Sequence, residues 1–124
     1  AEEGARAYLG CMVPGFPNLW MLYGPNTNGG LPVSQYHEVT MRYILQCLEK
    51  LILDDKHAVE VKEDAYWRYN RIVDEGNARK IWADPRANNY WWSEYGRTVS
   101  QTPFTGYEIW GQMRHPDWDD LEVR

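Results

Sequence analysis

Stretches with a clear hydrophobic period alternate along this chain with stretches that have none. From about Ser34 to Leu53, the residues Tyr36, Thr40, Tyr43, Ile44, Cys47, Leu48 and Leu51 recur at three- and four-residue spacing. That pattern predicts a long helix with one buried face, and Ser34 is a natural N-cap for it. Asp54-Asp55-Lys56-His57 ends the period, and Ala58-Val59-Glu60-Val61 alternates as a short strand does, brief enough to be an edge. A second helix is expected from about Lys62 to Trp82, with Glu63 and Asp64 in its first turn and Tyr66, Tyr69, Ile72 and Val73 buried. Gly76 is expected to bend or interrupt it.

Ahead of the first helix, Pro14-Gly15-Phe16-Pro17-Asn18-Leu19-Trp20-Met21-Leu22-Tyr23-Gly24-Pro25 is a short apolar run bounded by Pro and Gly. It predicts a buried strand over Leu19 to Tyr23. A polar loop and the helix start follow, and in open α/β sheets that junction is where ligands sit. Ala1 to Met12 is expected as an arm or turn. From Asp84 on, Pro85, Pro103 and Pro116 and four of the seven Trp occur without a sustained helical period, which predicts an irregular, aromatic-rich wrap. There is no internal repeat, low-complexity tract or flexible linker. The reading is an α/β chain whose 124 residues form a single segment.

Composition narrows the function. With 44% hydrophobic and 25% charged residues the chain is globular rather than disordered, and 15% aromatic residues is rich for its length. Such residues supply much of the burial energy of cores and interfaces. A net charge of -5 with no Lys/Arg cluster argues against a nucleic-acid binder. Cys11 and Cys47 are too few for a disulfide framework or zinc site and are expected as reduced, packed thiols. No apolar run reaches membrane-spanning length and no signal peptide is evident, so the expected location is the cytoplasm. A first residue Ala1 is compatible with a processed product, an excised fragment or Met removal.

The loop Pro25-Asn26-Thr27-Asn28 carries the strongest candidate chemistry. Asn and Thr offer backbone and side-chain polar groups at the mouth of a helix whose N-terminus is partly positive, which suits the pyrimidine edge of a flavin. On the residues alone, an Asn-rich turn between strand and helix is the favoured reading and a cofactor loop the alternative. His37, His57 and His115 are too widely spaced for a metal site. Glu60, Glu63 and Asp64 read as the solvated edge of a strand and a helix start. Ser34 and His37 lack the nucleophile elbow of a hydrolase. Arg86, Arg97 and Arg114 lie among aromatics and either clamp an anion or stack on rings.

The segment around Leu19 to Asn28 resembles the last strand of the FAD domain in Baeyer–Villiger flavoprotein monooxygenases, most closely the 4-hydroxyacetophenone monooxygenase type. Arg42-Tyr43-Ile44, Val59-Glu60-Val61, Tyr69-Asn70, Ile81-Trp82, Asn89-Tyr90-Trp91-Trp92-Ser93-Glu94-Tyr95-Gly96-Arg97 and Asp119-Asp120-Leu121-Glu122-Val123-Arg124 follow in the order found at the C-terminal end of those enzymes. The resemblance implies a piece that completes a Rossmann-like FAD domain, in an enzyme that oxygenates a ketone with FAD, NADPH and O2. It implies Pro25, Asn26, Thr27 and Asn28 near the flavin, and Tyr90, Trp91 and Arg97 on the NADPH or substrate side. No Gly-x-Gly-x-x-Gly occurs, so both pyrophosphate cradles are missing. The chain alone is therefore expected to be inactive and to bind neither cofactor tightly. Its expected partners are the rest of the flavoenzyme or a second copy of itself, because a strand over Leu19 to Tyr23 would lack its neighbours and expose an edge. Replacing Asn26 and Thr27 by Ala is expected to spare the fold, with Thr105 as an indifferent control. A free-standing remnant that binds a partner chain or apolar ligand through its aromatic surface is the alternative function, and a small α+β domain with its own pocket is a third.

Overall fold

A computed structural model describes residues 4–79 and 100–124. The elements in chain order are α1 (Val33–Leu53), β1 (Val59–Val61), α2 (Glu63–Asn77), α3 (Gly106–Met113) and β2 (Leu121–Val123), with a 3-10 turn at Trp118–Asp120 leading into β2.

Helix α1 forms where the period places it. Tyr36, Thr40, Tyr43, Ile44, Cys47 and Leu51 are buried, but Leu48, expected inside, is 40% exposed. The helix starts at Val33 behind Pro32, and no side chain caps it, so Ser34 lies inside the first turn rather than at the cap. At the other end a Lys50–Asp54 ion pair and the backbone bond from Lys56 N–H to Leu51 C=O close the last turn. Helix α2 carries the expected Glu63 and Asp64 in its first turn and buries Ala65, Tyr69, Asn70, Val73 and Asn77. Ile72 is half exposed. The helix ends at Asn77 rather than Trp82. The helix stops one residue past Gly76, where a Cβ would meet the Pro103 ring at 2.6 Å, so the glycine also lets the returning chain approach.

The expected strand over Leu19 to Tyr23 does not form. Among the described residues the sheet consists of β1 and β2 alone, antiparallel, pairing Val59 with Val123, Glu60 with Glu122 and Val61 with Leu121. A doubly covered strand needs neighbours on both edges. Among the described residues Leu19–Tyr23 is tied on one side only, by Met21 N–H to Cys11 C=O, with Gly24 N–H to Gly10 C=O just beyond it. Trp20 and Tyr23 pack on the core, while Leu19 and Leu22 stay exposed.

The C-terminal part is more regular than expected. Helix α3 opens on a capping box, in which the Thr105 hydroxyl accepts from Glu108 N–H and the Glu108 carboxylate accepts from Thr105 N–H. Thr105 is therefore a structural residue rather than an isolated polar one. Ile109 and Met113 carry α3 into the core against α1. That core joins Tyr43, Cys47, Val59, Val61 and Val73 to Met12 from the N-terminal arm.

Candidate functional site

The loop between Tyr23 and α1 is built from the inside. Asn26 and Thr27 are 2% and 1% exposed. The Asn26 side-chain amide donates to the Gln101 carbonyl at 2.8 Å, and the Thr27 hydroxyl donates to the Gly24 carbonyl at 2.7 Å. Asn28 N–H donates to Ser100 C=O and Asn28 C=O accepts from Thr102 N–H, a short parallel ladder to the returning chain. Tyr23 completes the set by donating its hydroxyl to the Asn28 side chain at 2.7 Å. Gly10, at φ +70°, lies so close that a Cβ would collide with the Thr27 methyl.

Gln101 is the residue that sequence reasoning missed. Its carbonyl accepts two side-chain amides, from Asn26 and, at 3.0 Å, from Asn77 at the end of α2. Only the fold brings positions 26, 77 and 101 together, so nothing local marks them. The expectation that Asn26 and Thr27 can be removed at little cost to the fold is corrected here, because both are buried polar groups with partners and Asn26 sits at φ +57°. The loop delivers the chain into α1, whose first turn holds no acidic residue and receives no side-chain cap. The positive end of a 21-residue helix therefore lies at this loop without a side-chain cap.

Tyr90, Trp91 and Arg97 lie outside the described residues, as do Arg86, Ile81 and Trp82. Arg114 is described, and its guanidinium stacks over Trp110 at 4.7 Å, the ring-stacking alternative. No group of three His, Cys, Asp or Glu that could hold a metal occurs among the described residues. His115 shares a 3.1 Å contact with Gln46, and His37 lies edge-on to Tyr23. Glu60 does more than line a solvated edge: it accepts from Gly15 N–H at 2.7 Å and from Arg124 at 3.1 Å. Those two donors hold its carboxyl below the usual range. Both cysteines are free and buried. Burial pushes the Cys47 thiol up to about 12 and the Cys11 thiol higher still, so neither is a nucleophile. Among the described residues no helix is long and apolar enough to cross a membrane.

No protein-family model matches the chain. An uncharacterized monooxygenase of Sinorhizobium fredii, y4iD, is 32% identical over 98% of this chain and 19% of its own length. A Baeyer–Villiger monooxygenase of Pseudomonas aeruginosa is 34% identical over 66% of this chain and 16% of its own length. Among solved structures, OTEMO in complex with FAD and NADP superposes with a TM-score of 0.77 at 21% identity, over 98% of this chain and 23% of that one. The relatives of this chain are monooxygenases by name, among them an FAD-binding monooxygenase of Aspergillus niger and the Baeyer–Villiger monooxygenase of Pseudomonas aeruginosa, and its structural neighbours include a steroid monooxygenase and a cyclohexanone monooxygenase bound to NADP. The chain spans about a fifth of the length of the curated relatives it matches, and its mixed helix and strand fold matches the C-terminal portion of the solved enzymes.

Proposed function

We propose that this chain is the C-terminal part of a cytoplasmic Baeyer–Villiger monooxygenase, of the 4-hydroxyacetophenone monooxygenase type, and that it completes the Rossmann-like FAD domain of that enzyme. The observation that carries the reading is the 32% identity to a monooxygenase maintained over 98% of the chain. The chemistry, insertion of one oxygen atom of O2 beside a ketone carbonyl at the expense of NADPH, is the cofactor's once FAD is bound.

The residues of this chain supply position and field. Pro25, Asn26, Thr27 and Asn28 form the loop that approaches the flavin's pyrimidine edge, with the Asn26 and Thr27 side chains fixing the loop's shape from inside. The uncapped first turn of α1 offers N–H donors and a positive field to an electron-rich edge, and it is free of carboxylates that would oppose one. This is the feature of the structure that fits a flavin. Tyr90, Trp91 and Arg97 serve the NADPH or substrate side. Without the glycine cradles for the two pyrophosphates, the chain alone is inactive; its partner is the remainder of the enzyme, which supplies those cradles, or a second copy of itself, which does not.

Two measurements test the proposal. The chain substituted for the matching fifth of the Sinorhizobium fredii relative should purify with FAD and oxidise NADPH, whereas the isolated chain should not bind FAD at low micromolar concentration. A chimera that folds without flavin, or stoichiometric binding by the isolated chain, overturns it. Ser34→Asp separates field from fold. A carboxylate in the first turn should stabilise the isolated chain by roughly 0.3–1 kcal/mol, yet in the chimera it should loosen FAD and slow its reduction. If FAD retention and reduction are unchanged, the α1 terminus does not face the flavin.

A further inference from the structure

Helix α1 is apolar on two faces. The inner face supplies Tyr43, Cys47 and Leu51 to the core. The outer face carries Met41, Leu45, Leu48 and Ile52, which are 41%, 56%, 40% and 78% exposed. Their spacing of four, three and four residues sets them in one continuous row. Exposed Arg42 and Glu49 accompany the row. Single exposed apolar side chains are ordinary, but a continuous row along a helix, here widening the apolar stripe beyond what the core covers, marks a contact surface.

We infer that the outer face of α1 is the seam along which this chain packs against the remaining four-fifths of its enzyme. The inference rests on the reading under Proposed function. The length of polypeptide outside this chain argues for that occupant, since 98% of the chain aligns with only 19% of the Sinorhizobium fredii relative. Likewise 98% of it superposes on only 24% of a solved steroid monooxygenase. A second copy is the weaker candidate, because the row spans two heptads and a self-standing coiled coil needs three or four.

Thiol labelling reads the seam directly. Cys11 and Cys47 are buried and silent, so Leu45→Cys and, separately, Ile52→Cys report their own accessibility to a maleimide. Tyr107→Cys on α3, where the native side chain is 86% exposed, sets the reference rate. In the isolated chain both seam thiols should label at close to that rate. In the full-length chimera they should label at least ten-fold more slowly than in the isolated chain. Flavin content separates the two ideas. A chimera that holds FAD but labels at Leu45→Cys and Ile52→Cys as fast as the isolated chain sinks the seam and leaves the proposed function standing, whereas a chimera without FAD sinks both. An isolated chain that is dimeric by light scattering, with both thiols already protected, overturns the seam in favour of a second copy.

Discussion

In α1 and α2 the buried side chains recur every three to four residues and, beyond the first turn, the backbone N–H groups bond within the helix, whereas the stretch from Gly4 to Pro32 is held largely by partners far along the chain. Asn18 takes the place of a strand neighbour for β1: its N–H donates to Val59 C=O, and its side chain accepts from Val59 N–H and donates to His57 C=O. Arg6 pairs with Asp74 on α2, and the Tyr8 hydroxyl donates to the buried carboxylate of Asp120, which Arg68 also engages. Both regions contribute buried residues to one core. They differ in where the information lies, since helical period is local and the irregular layer takes its shape from contacts that exist only once the rest has folded.

If that contrast is right, the largest loss comes from a polar residue of the irregular layer. Asn26→Ala removes a donor from the buried Gln101 carbonyl and leaves a β-carbon residue at φ +57°. The expected cost is about 2–4 kcal/mol, from the lost bond and the left-handed backbone together. Asn26→Gly keeps the backbone at ease and should recover the second part. Urea unfolding of both variants checks this, and equal losses would mean that the strain contributes nothing.

A local cap should matter less. Thr105→Ala breaks the capping box of α3 and is expected to cost about 1 kcal/mol. Hydrogen exchange should rise first in Gly106–Met113, with the Asn26 loop unchanged. A loss spread evenly over the whole chain would dissolve the distinction between the two regions.

The smallest effect is electrostatic. Glu60 joins the irregular layer at Gly15 to the C-terminal Arg124, and its carboxyl is held low by those two donors. A depressed carboxyl contributes stability above its unfolded pKa, about 4.3, and loses it as pH falls through the folded value. Glu60→Gln should therefore be slightly less stable than the parent at pH 6 and equal to it near pH 2, and salt should narrow the gap. Parallel pH–stability curves would show that the Gly15 and Arg124 contacts carry no weight.

Much of the fold was legible residue by residue. The period from Tyr36 to Leu51 gave α1, the acidic start at Glu63 gave α2, and alternation at Val59 to Val61 gave β1. Two signals for the C-terminal part lay in the sequence unread: Thr105 three residues before Glu108, a capping-box spacing, and Leu121-Glu122-Val123, which alternates as its partner strand does. The candidate loop was legible as a loop, but the inward use of Asn26 and Thr27 was not, since their acceptors include a carbonyl 75 positions away.

What the sequence determined by itself is where helices form and which of their faces are apolar, because side-chain direction repeats with the backbone period whatever surrounds it. Only the tertiary structure decided the fate of Leu19 to Tyr23. That segment has the composition of a central strand, but a strand exists only where other chain segments bond to its edges. Among the described residues a single edge is met, at Cys11, so the segment stays irregular and leaves Leu19 and Leu22 uncovered.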